Sequence, residues 1–289
     1  MRATSIVFHQ TLTWLLIGCW LCGSSAATAA PSTGDCIIAA AQGGVVFPVD
    51  KLNTSTRCQI GAVVNGYTTA GLIGPVQTPV TPQLYEYLLD RPPLIAALIE
   101  RLGLGTYQFT AREMNQFWVN DGDGTQGLLT LVYQDSAHRI YHIDGYHEGQ
   151  IFPIVRAKAA VFMTILPVTT TEGLPAVQTS LMTYTRLDAS LLAGLVHILR
   201  PLVGDAVTRK LSRGFEVTNQ LSAAIAQDRE QVAQQASLVP WLSPTELQTL
   251  IGWLYTVPQR AAGSPTVGTP APSATSPTPA PPPPMQAEP

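Results

Sequence analysis

The sequence predicts an α+β fold in which one long helix closes an antiparallel sheet. Two strand-like runs, residues 157–166 and 176–186, alternate apolar and polar side chains, and a polar connection at residues 167–175 joins them. Asp188 is a suitable helix N-cap, and over residues 189–235 the apolar residues recur about every 3.6 positions. A helix of this length needs an apolar surface to lie on, and the preceding strands can supply one.

The composition and the N-terminus predict export. Hydrophobic residues make up 46% of the 289-residue chain and charged residues only 12%, whereas soluble domains average about 25% charged residues. An apolar run at residues 11–21 follows Arg2 and precedes small residues up to Ala30, as in a signal peptide. The run is shorter than the roughly 20 apolar residues that a transmembrane helix needs. We therefore expect a periplasmic protein or one that is anchored to a membrane of the bacterial envelope.

Two processing sites are compatible with this leader. The residues Ala27-Thr-Ala29 favour ordinary cleavage, so that residues 1–29 form the signal peptide. The residues Leu16-Ile-Gly-Cys19 resemble a lipobox, which would place the end of a lipoprotein signal before Cys19.

The two cysteines of the mature chain are expected to form a disulfide. Cys36 and Cys58 lie in a segment, residues 30–65, that reads as strand and loop. In an oxidising compartment two such cysteines pair, and two buried free thiols are the alternative.

The C-terminal part of the chain divides into a helix and a tail. Ser243 to Glu246 form a capping box with Pro244 at the first helical position, which predicts a last helix within residues 237–257. Residues 258–289 are rich in Pro, Ala, Thr and Ser and cannot bury a core. This tail is expected to be disordered, either as a spacer through the cell envelope or as a featureless terminus.

Two short helices and a series of strands precede the long helix. Thr81 caps a helix that begins at Pro82, and a second helix runs from Leu94 to Leu102 and ends at Gly103. Further strands are predicted at residues 106–112, 126–133 and 139–147. Their connections at residues 120–124 and 135–138 have the composition of turns between antiparallel neighbours.

Strand alternation predicts which face of the sheet meets the helix. Even positions carry polar side chains such as Gln126, Lys158 and Arg186, with Phe162 and Met182 as exceptions, so the even face is predicted to be exposed. The odd positions are predicted to face the long helix.

This order of elements resembles the START-like superfamily, the polyketide cyclase/lipid-transport group with the helix-grip fold. The resemblance covers residues 66–236 and rests on the element order, on Leu84-Tyr-Glu-Tyr-Leu-Leu-Asp90, and on the terminal helix after Thr185-Arg-Leu-Asp188. It implies a sheet wrapped on the long helix around a cavity for a lipid or another apolar ligand. The residues expected to line that cavity are Leu129, Leu131, Tyr133, Tyr141, Ile143, Val161, Met163, Thr179, Leu181, Thr183, Leu191 and Leu195.

The leading functional hypothesis is a non-enzymatic carrier or sensor of that ligand. An enzyme that uses His142 and Asp144 on a bound hydrophobic substrate is one alternative, and a structural envelope protein with a solid interior is another. The sequence contains no nucleotide, cofactor or zinc-protease motif, so no cofactor or metal is expected.

Charge narrows the choice of partner. The net charge of −3 makes nucleic acid an unsuitable partner. Arg209, Lys210 and Arg213 form a small basic patch, which is either a solvated helix face or a contact with anionic lipid head groups.

Overall fold

A computed structural model describes residues 36–148, 154–188, 210, 213–214 and 216–256. Within these ranges the strands are β1 (Ala41–Gln42), β2 (Val45–Val46), β3 (Thr69–Thr78), β4 (Gln108–Ala111), β5 (Gln116–Asn120), β6 (Thr125–Gln134), β7 (His138–His147), β8 (Val155–Thr169) and β9 (Pro175–Leu187). The helices are α1 (Thr54–Asn65), α2 (Pro82–Leu89), α3 (Pro92–Arg101), α4 (described over 216–227), α5 (Arg229–Ser237) and α6 (Pro244–Thr256). The α+β class is therefore confirmed. The predicted signal peptide, Leu191, Leu195, Arg209 and the tail lie outside the described residues.

Seven strands form one antiparallel sheet in the order β3-β9-β8-β7-β6-β5-β4. From β4 to β9 each strand pairs with the next one in the chain, whereas β3 pairs with the last strand, β9. Helices α2 and α3 form the connection from β3, at one edge, to β4, at the other edge. This connection lays the two helices across one face of the sheet.

The predicted helix starts are confirmed at α2 and α6. The Thr81 hydroxyl accepts a hydrogen bond from the Leu84 amide, and Pro82 occupies the first turn. At α6 the Ser243 hydroxyl accepts from the Glu246 amide at 3.2 Å while the Glu246 carboxylate accepts from the Ser243 amide at 3.1 Å. Each cap satisfies backbone donors that the first turn leaves unpaired.

The long helical run that the sequence predicts to Gln235 is interrupted at Asp228. This residue has φ −144° and ψ 77°, and its side chain accepts a hydrogen bond from the Gln231 amide as the N-cap of α5. The helical period of the side chains continues through the break, but the aspartate stabilises a new helix start there. Among the described residues, no helix combines the length and the apolar character needed to cross a membrane.

One face of the sheet, here called the α2 face, packs against helices α2 to α6. Its buried side chains Met163, Ile165 and Val177 share a core with residues of every one of these helices. The helical members of this core include Leu84, Leu88, Leu94, Leu98, Val217, Leu221, Ile225, Val232, Leu250 and Leu254. The odd positions of β8 and β9 therefore face helices, as predicted.

The opposite face, here called the α1 face, is covered rather than exposed, which corrects the sequence-based prediction. Ile140, Ala160 and Phe162 are each 0% exposed. They pack with Ile60 and Val63 of α1, and with Ile38, Phe47, Val49 and Leu52 of the segment that precedes it. The sheet is thus the middle layer of three.

Helix α1 was itself predicted as strand and loop. Its sequence contains Thr and Val residues and a glycine, which have lower helix propensity than Ala or Leu. The Asn53 side chain caps the helix by accepting from the Thr56 amide, and the Arg186 guanidinium donates to the Ala62 carbonyl near the other end at 2.8 Å. The predicted disulfide between Cys36 and Cys58 is confirmed and joins α1 to the segment before it.

We expect Phe162→Ala to lower the free energy of unfolding by about 3–5 kcal/mol, because the substitution opens a cavity in the α1-face core. The matched control is Leu166→Ala in the same strand, whose side chain is 48% exposed and should change stability by less than about 0.5 kcal/mol. Denaturant titration of both variants provides the measurement. Equal, small changes in the two variants would contradict a core on this face.

Candidate ligand-binding site

The structure brings most of the predicted cavity residues together on the α2 face. Strand register places Leu131, Tyr141, Val161 and Thr183 in one row across β6 to β9. Parallel rows contain Leu129 with Ile143, and Met163 with Leu181, and Thr179 lies beside Ile165. Residues that are direct cross-strand partners point to the same side of a sheet, so these nine side chains share one surface.

Tyr133 does not belong to this surface. The register shifts between Leu131 and Tyr133, so that Tyr133 pairs with Ile140 and turns to the α1 face. The Tyr133 side chain packs against the α1-face core, and its hydroxyl donates to the Asp135 carboxylate at 2.9 Å. A β-bulge reverses the alternation of side chains along a strand. The alternation of apolar and polar residues in the β6 sequence does not reveal this bulge.

Burial differs along the α2 face. Val161, Met163, Thr179 and Thr183 are buried. Leu129, Leu131 and Ile143 are only partly buried, and they are not members of the core that the described helical residues form with Met163 and Ile165. Apolar side chains therefore remain partly accessible where the sheet continues from β7 towards β6.

Small residues occupy the row at one end of this surface, next to Leu129 and Ile143. Gly127 pairs with Gly145, which pairs with Ala157, and Ala159 follows in the neighbouring row beside Ile143. The strands approach closely here, since a Cβ atom on Gly127 would lie 2.7 Å from the Cα atom of Gly145. Leu129 and Ile143 therefore have no large side chain beside them on this side of their row.

A polar cluster lies at the other end of the surface, under α2. The Arg139 side chain is 5% exposed, and its Nη2 atom donates to Asp90, the last residue of the α2 region, at 2.7 Å. Close by, the hydroxyls of Tyr85 and Thr179 are hydrogen-bonded at 2.9 Å in a buried position. We call Arg139, Tyr85, Tyr141 and Thr179 the polar cluster, and Asp90 lies at its edge. Sequence reasoning did not single out Arg139, Tyr85 or Asp90 as site residues.

Burial keeps both tyrosines of the cluster neutral. It raises the pKa of Tyr85 to about 12, although the hydrogen bond to Thr179 acts in the opposite direction. Burial also raises the pKa of Tyr141, and the nearby positive charge of Arg139 offsets part of that rise. At neutral pH each phenol keeps its proton and can donate a hydrogen bond.

The two residues of the predicted catalytic alternative do not meet on the α2 face. His142 is buried on the α1 face with 3% exposure, and its Nδ1 atom lies 3.2 Å from the side-chain nitrogen Nε2 of Gln59. Asp144 lies on the same face but forms an exposed ion pair with Lys158 at 2.8 Å. In the described part of the chain, no group of three His, Cys, Asp or Glu side chains is arranged to hold a metal ion.

The predicted basic patch is partly neutralised. The Lys210 ammonium group donates to the Asp121 carboxylate at 2.6 Å and to the Asp123 carboxylate at 3.2 Å, both in the β5–β6 turn. Burial alone would raise the pKa of Asp121, but the hydrogen bonds from Lys210 and from backbone amides outweigh it and lower that pKa. The Arg213 side chain is exposed.

No protein-family model and no curated protein matches the chain. Solved structures do match. A conserved protein from Geobacillus kaustophilus is 9% identical with a TM-score of 0.38, and the match covers 54% of this chain and 95% of that protein. An uncharacterized protein from Rhizobium leguminosarum is 14% identical with a TM-score of 0.31, and the match covers 54% and 97% of the two chains.

We expect His142 to make the protein sensitive to acid. Burial lowers the pKa of His142 below its usual 6.5, with a smaller lowering from Lys158 and an opposing effect of Asp144. The unfolded chain therefore binds the proton more readily. The stability that neutral His142 contributes is complete above the unfolded pKa and is lost as the pH falls through the lower folded pKa.

Denaturant titrations at about pH 8 and about pH 5 measure this dependence. The loss of unfolding free energy between the two pH values should be smaller in His142→Gln than in the parent protein. An equal loss in both proteins would contradict the assignment to His142.

Proposed function

We propose that this protein is an exported binding protein that carries or senses a lipid or another apolar small molecule in the cell envelope. The apolar run at residues 11–21 and the small residues that follow it support export. The partly accessible aliphatic residues of the α2 face support binding of an apolar ligand.

The arrangement of elements supports a helix-grip interpretation of the sheet. Strand β3 pairs with the last strand, two helices link β3 to the far edge, and helical residues follow β9. In the START-like proteins that this order resembles, the space between the sheet and its closing helix accommodates an apolar ligand. On this interpretation the α2 face of β6 to β9 is the wall of the binding site.

The single observation that carries the proposal is the uneven burial of the α2 face. Each large aliphatic side chain that stays accessible on a sheet face forfeits hydrophobic stabilisation of roughly 25 cal/mol per Å². Leu129, Leu131 and Ile143 stay partly accessible beside a surface of glycine and alanine. An apolar ligand on these residues would complete the burial.

The same geometry distinguishes the alternatives. An enzyme that used His142 and Asp144 would need both groups beside the ligand, but they lie on the α1 face and have separate partners. A structural protein would need a filled α2 face. The carrier is the function that the partly accessible apolar surface favours.

We expect Leu181→Trp to displace the ligand at little cost in stability. Leu181 is partly buried in the row between Met163 and Ile73, so an indole there projects into the proposed site. The full chain is produced with its own leader, purified from the envelope fraction, and analysed by lipid extraction with mass spectrometry. Bound lipid should fall about ten-fold, a change of about 1.4 kcal/mol in binding, while the thermal midpoint changes by only a few degrees.

Leu166→Trp is the matched control, because Leu166 is exposed on the same sheet and its replacement should leave the lipid content unchanged. In a filled core, Leu181→Trp would overpack and destabilise the protein by about 1–3 kcal/mol. That destabilisation, together with no extractable lipid in the parent protein, would refute the carrier and favour the structural protein.

A further inference from the structure

The guanidinium group of Arg139 carries more hydrogen-bond donors than the described residues satisfy. It has five N–H donors in all, and the Nη2 atom donates to one oxygen of Asp90. A hydrogen bond also links the Arg139 side chain to Tyr141. The Nε and Nη1 atoms are buried and have no hydrogen-bond partner among the described residues. A buried charged donor without an acceptor is strongly unfavourable, so this group calls for an acceptor at the site.

A purely structural role would not require this arrangement. An arginine that only ties α2 to the sheet could keep its remaining donors in water, in the same way that Asp90 keeps part of its carboxylate in water with 48% of its side chain exposed. Arg139 instead projects from β7 onto the α2 face, in the row of Met163 and Leu181. Its free donors therefore lie at the end of the apolar surface described above.

From this geometry we infer that the ligand is an amphiphile with a carboxylate head group, and that Arg139 binds that carboxylate inside the protein while the apolar chain lies along β6 to β9. This inference rests on the proposed function and specifies the ligand class. A guanidinium matches a planar carboxylate through two parallel N–H groups. The apolar residues Met163, Leu181, Leu131 and Ile143 continue from the arginine in successive rows.

The other members of the polar cluster complete the head-group site. Tyr85 and Tyr141 stay protonated and add neutral donors without adding charge. The hydrogen bond between Tyr85 and Thr179 fixes the position of the Tyr85 hydroxyl. Asp90 already shares the positive charge of Arg139, so a carboxylate head group competes with it for the guanidinium. A phosphate, with up to two charges, would need further cations.

The experiment compares two probes of equal chain length on the full, delipidated protein. Oleate carries the carboxylate, and oleyl alcohol is its uncharged analogue. Isothermal titration calorimetry should show oleate binding at least about ten-fold more tightly, as expected for charge-assisted hydrogen bonds. Arg139→Met should abolish this preference by weakening oleate alone, and Arg139→Lys should retain part of it. Arg112→Met, at an exposed position, is the matched control and should behave as the parent protein.

A second variant keeps the test decisive if Arg139→Met fails to fold. Asp90→Asn removes the competing carboxylate but leaves the guanidinium in place. If Arg139 binds the head group, this variant should bind oleate more tightly than the parent and bind oleyl alcohol unchanged. If Arg139 only ties α2 to the sheet, Asp90→Asn should leave the preference for oleate unaltered, which would overturn the inference.

The outcomes separate this inference from the proposed function. Equal affinities for oleate and oleyl alcohol would overturn the carboxylate assignment while the apolar carrier stands. Tighter binding of oleoyl lysophosphatidate than of oleate would replace the carboxylate by a phosphate and also overturn it. Binding of none of the three probes would refute the proposed function itself.

Discussion

The structure depends on the two-sided burial of strands β7, β8 and β9. Along these strands both the odd and the even positions are apolar in the centre of the sheet, for example Met163 and Phe162. An antiparallel sheet with one apolar face can leave the other face to water, but a sheet with two must be covered twice. Helices α2 to α6 cover one face, and α1 with the disulfide segment covers the other. The N-terminal segment is therefore a layer of the fold rather than an attachment to it.

The two layers differ in the interactions that fix them to the sheet. The α1 layer is short, and several interactions fix it: the Cys36–Cys58 disulfide, the Asn53 cap and the Arg186 guanidinium at the Ala62 carbonyl. Its core is closed, with Ile60, Phe162 and Ile140 fully buried. The α2 layer combines a closed core with partly accessible aliphatic residues and a buried arginine. The proposed function uses the partly accessible aliphatic residues of the α2 face and the buried arginine.

Sequence reasoning predicted the fold class, the strands β4, β6, β7, β8 and β9, the caps of α2 and α6 and nine described residues of the α2 face, because each depends on local periodicity or capping chemistry. It did not predict β5. It failed where tertiary contacts decide. Polar residues such as Lys158 and Arg186 near strand ends made the even face look exposed, although Phe162 and Met182 already departed from that pattern. The residues of α1 favour strand by propensity, and only packing on the sheet makes them helical. The bulge that turns Tyr133 over involves one residue, too small a change for a periodicity to reveal.

The polar cluster was beyond sequence reasoning for a different reason. Arg139 directly follows a turn, where a charged residue is ordinary. Asp90 and Tyr85 are far from it in the sequence, so no local pattern links the three residues. Only the pairing of β7 with β8 and the passage of α2 over the sheet bring these groups together. Burying a charge there costs free energy of desolvation. An apolar side chain of similar size would fill the same space without that cost. Fold stability therefore gives no evident reason for the unpaired donors of this arginine, and the proposed binding of an anionic head group would supply one.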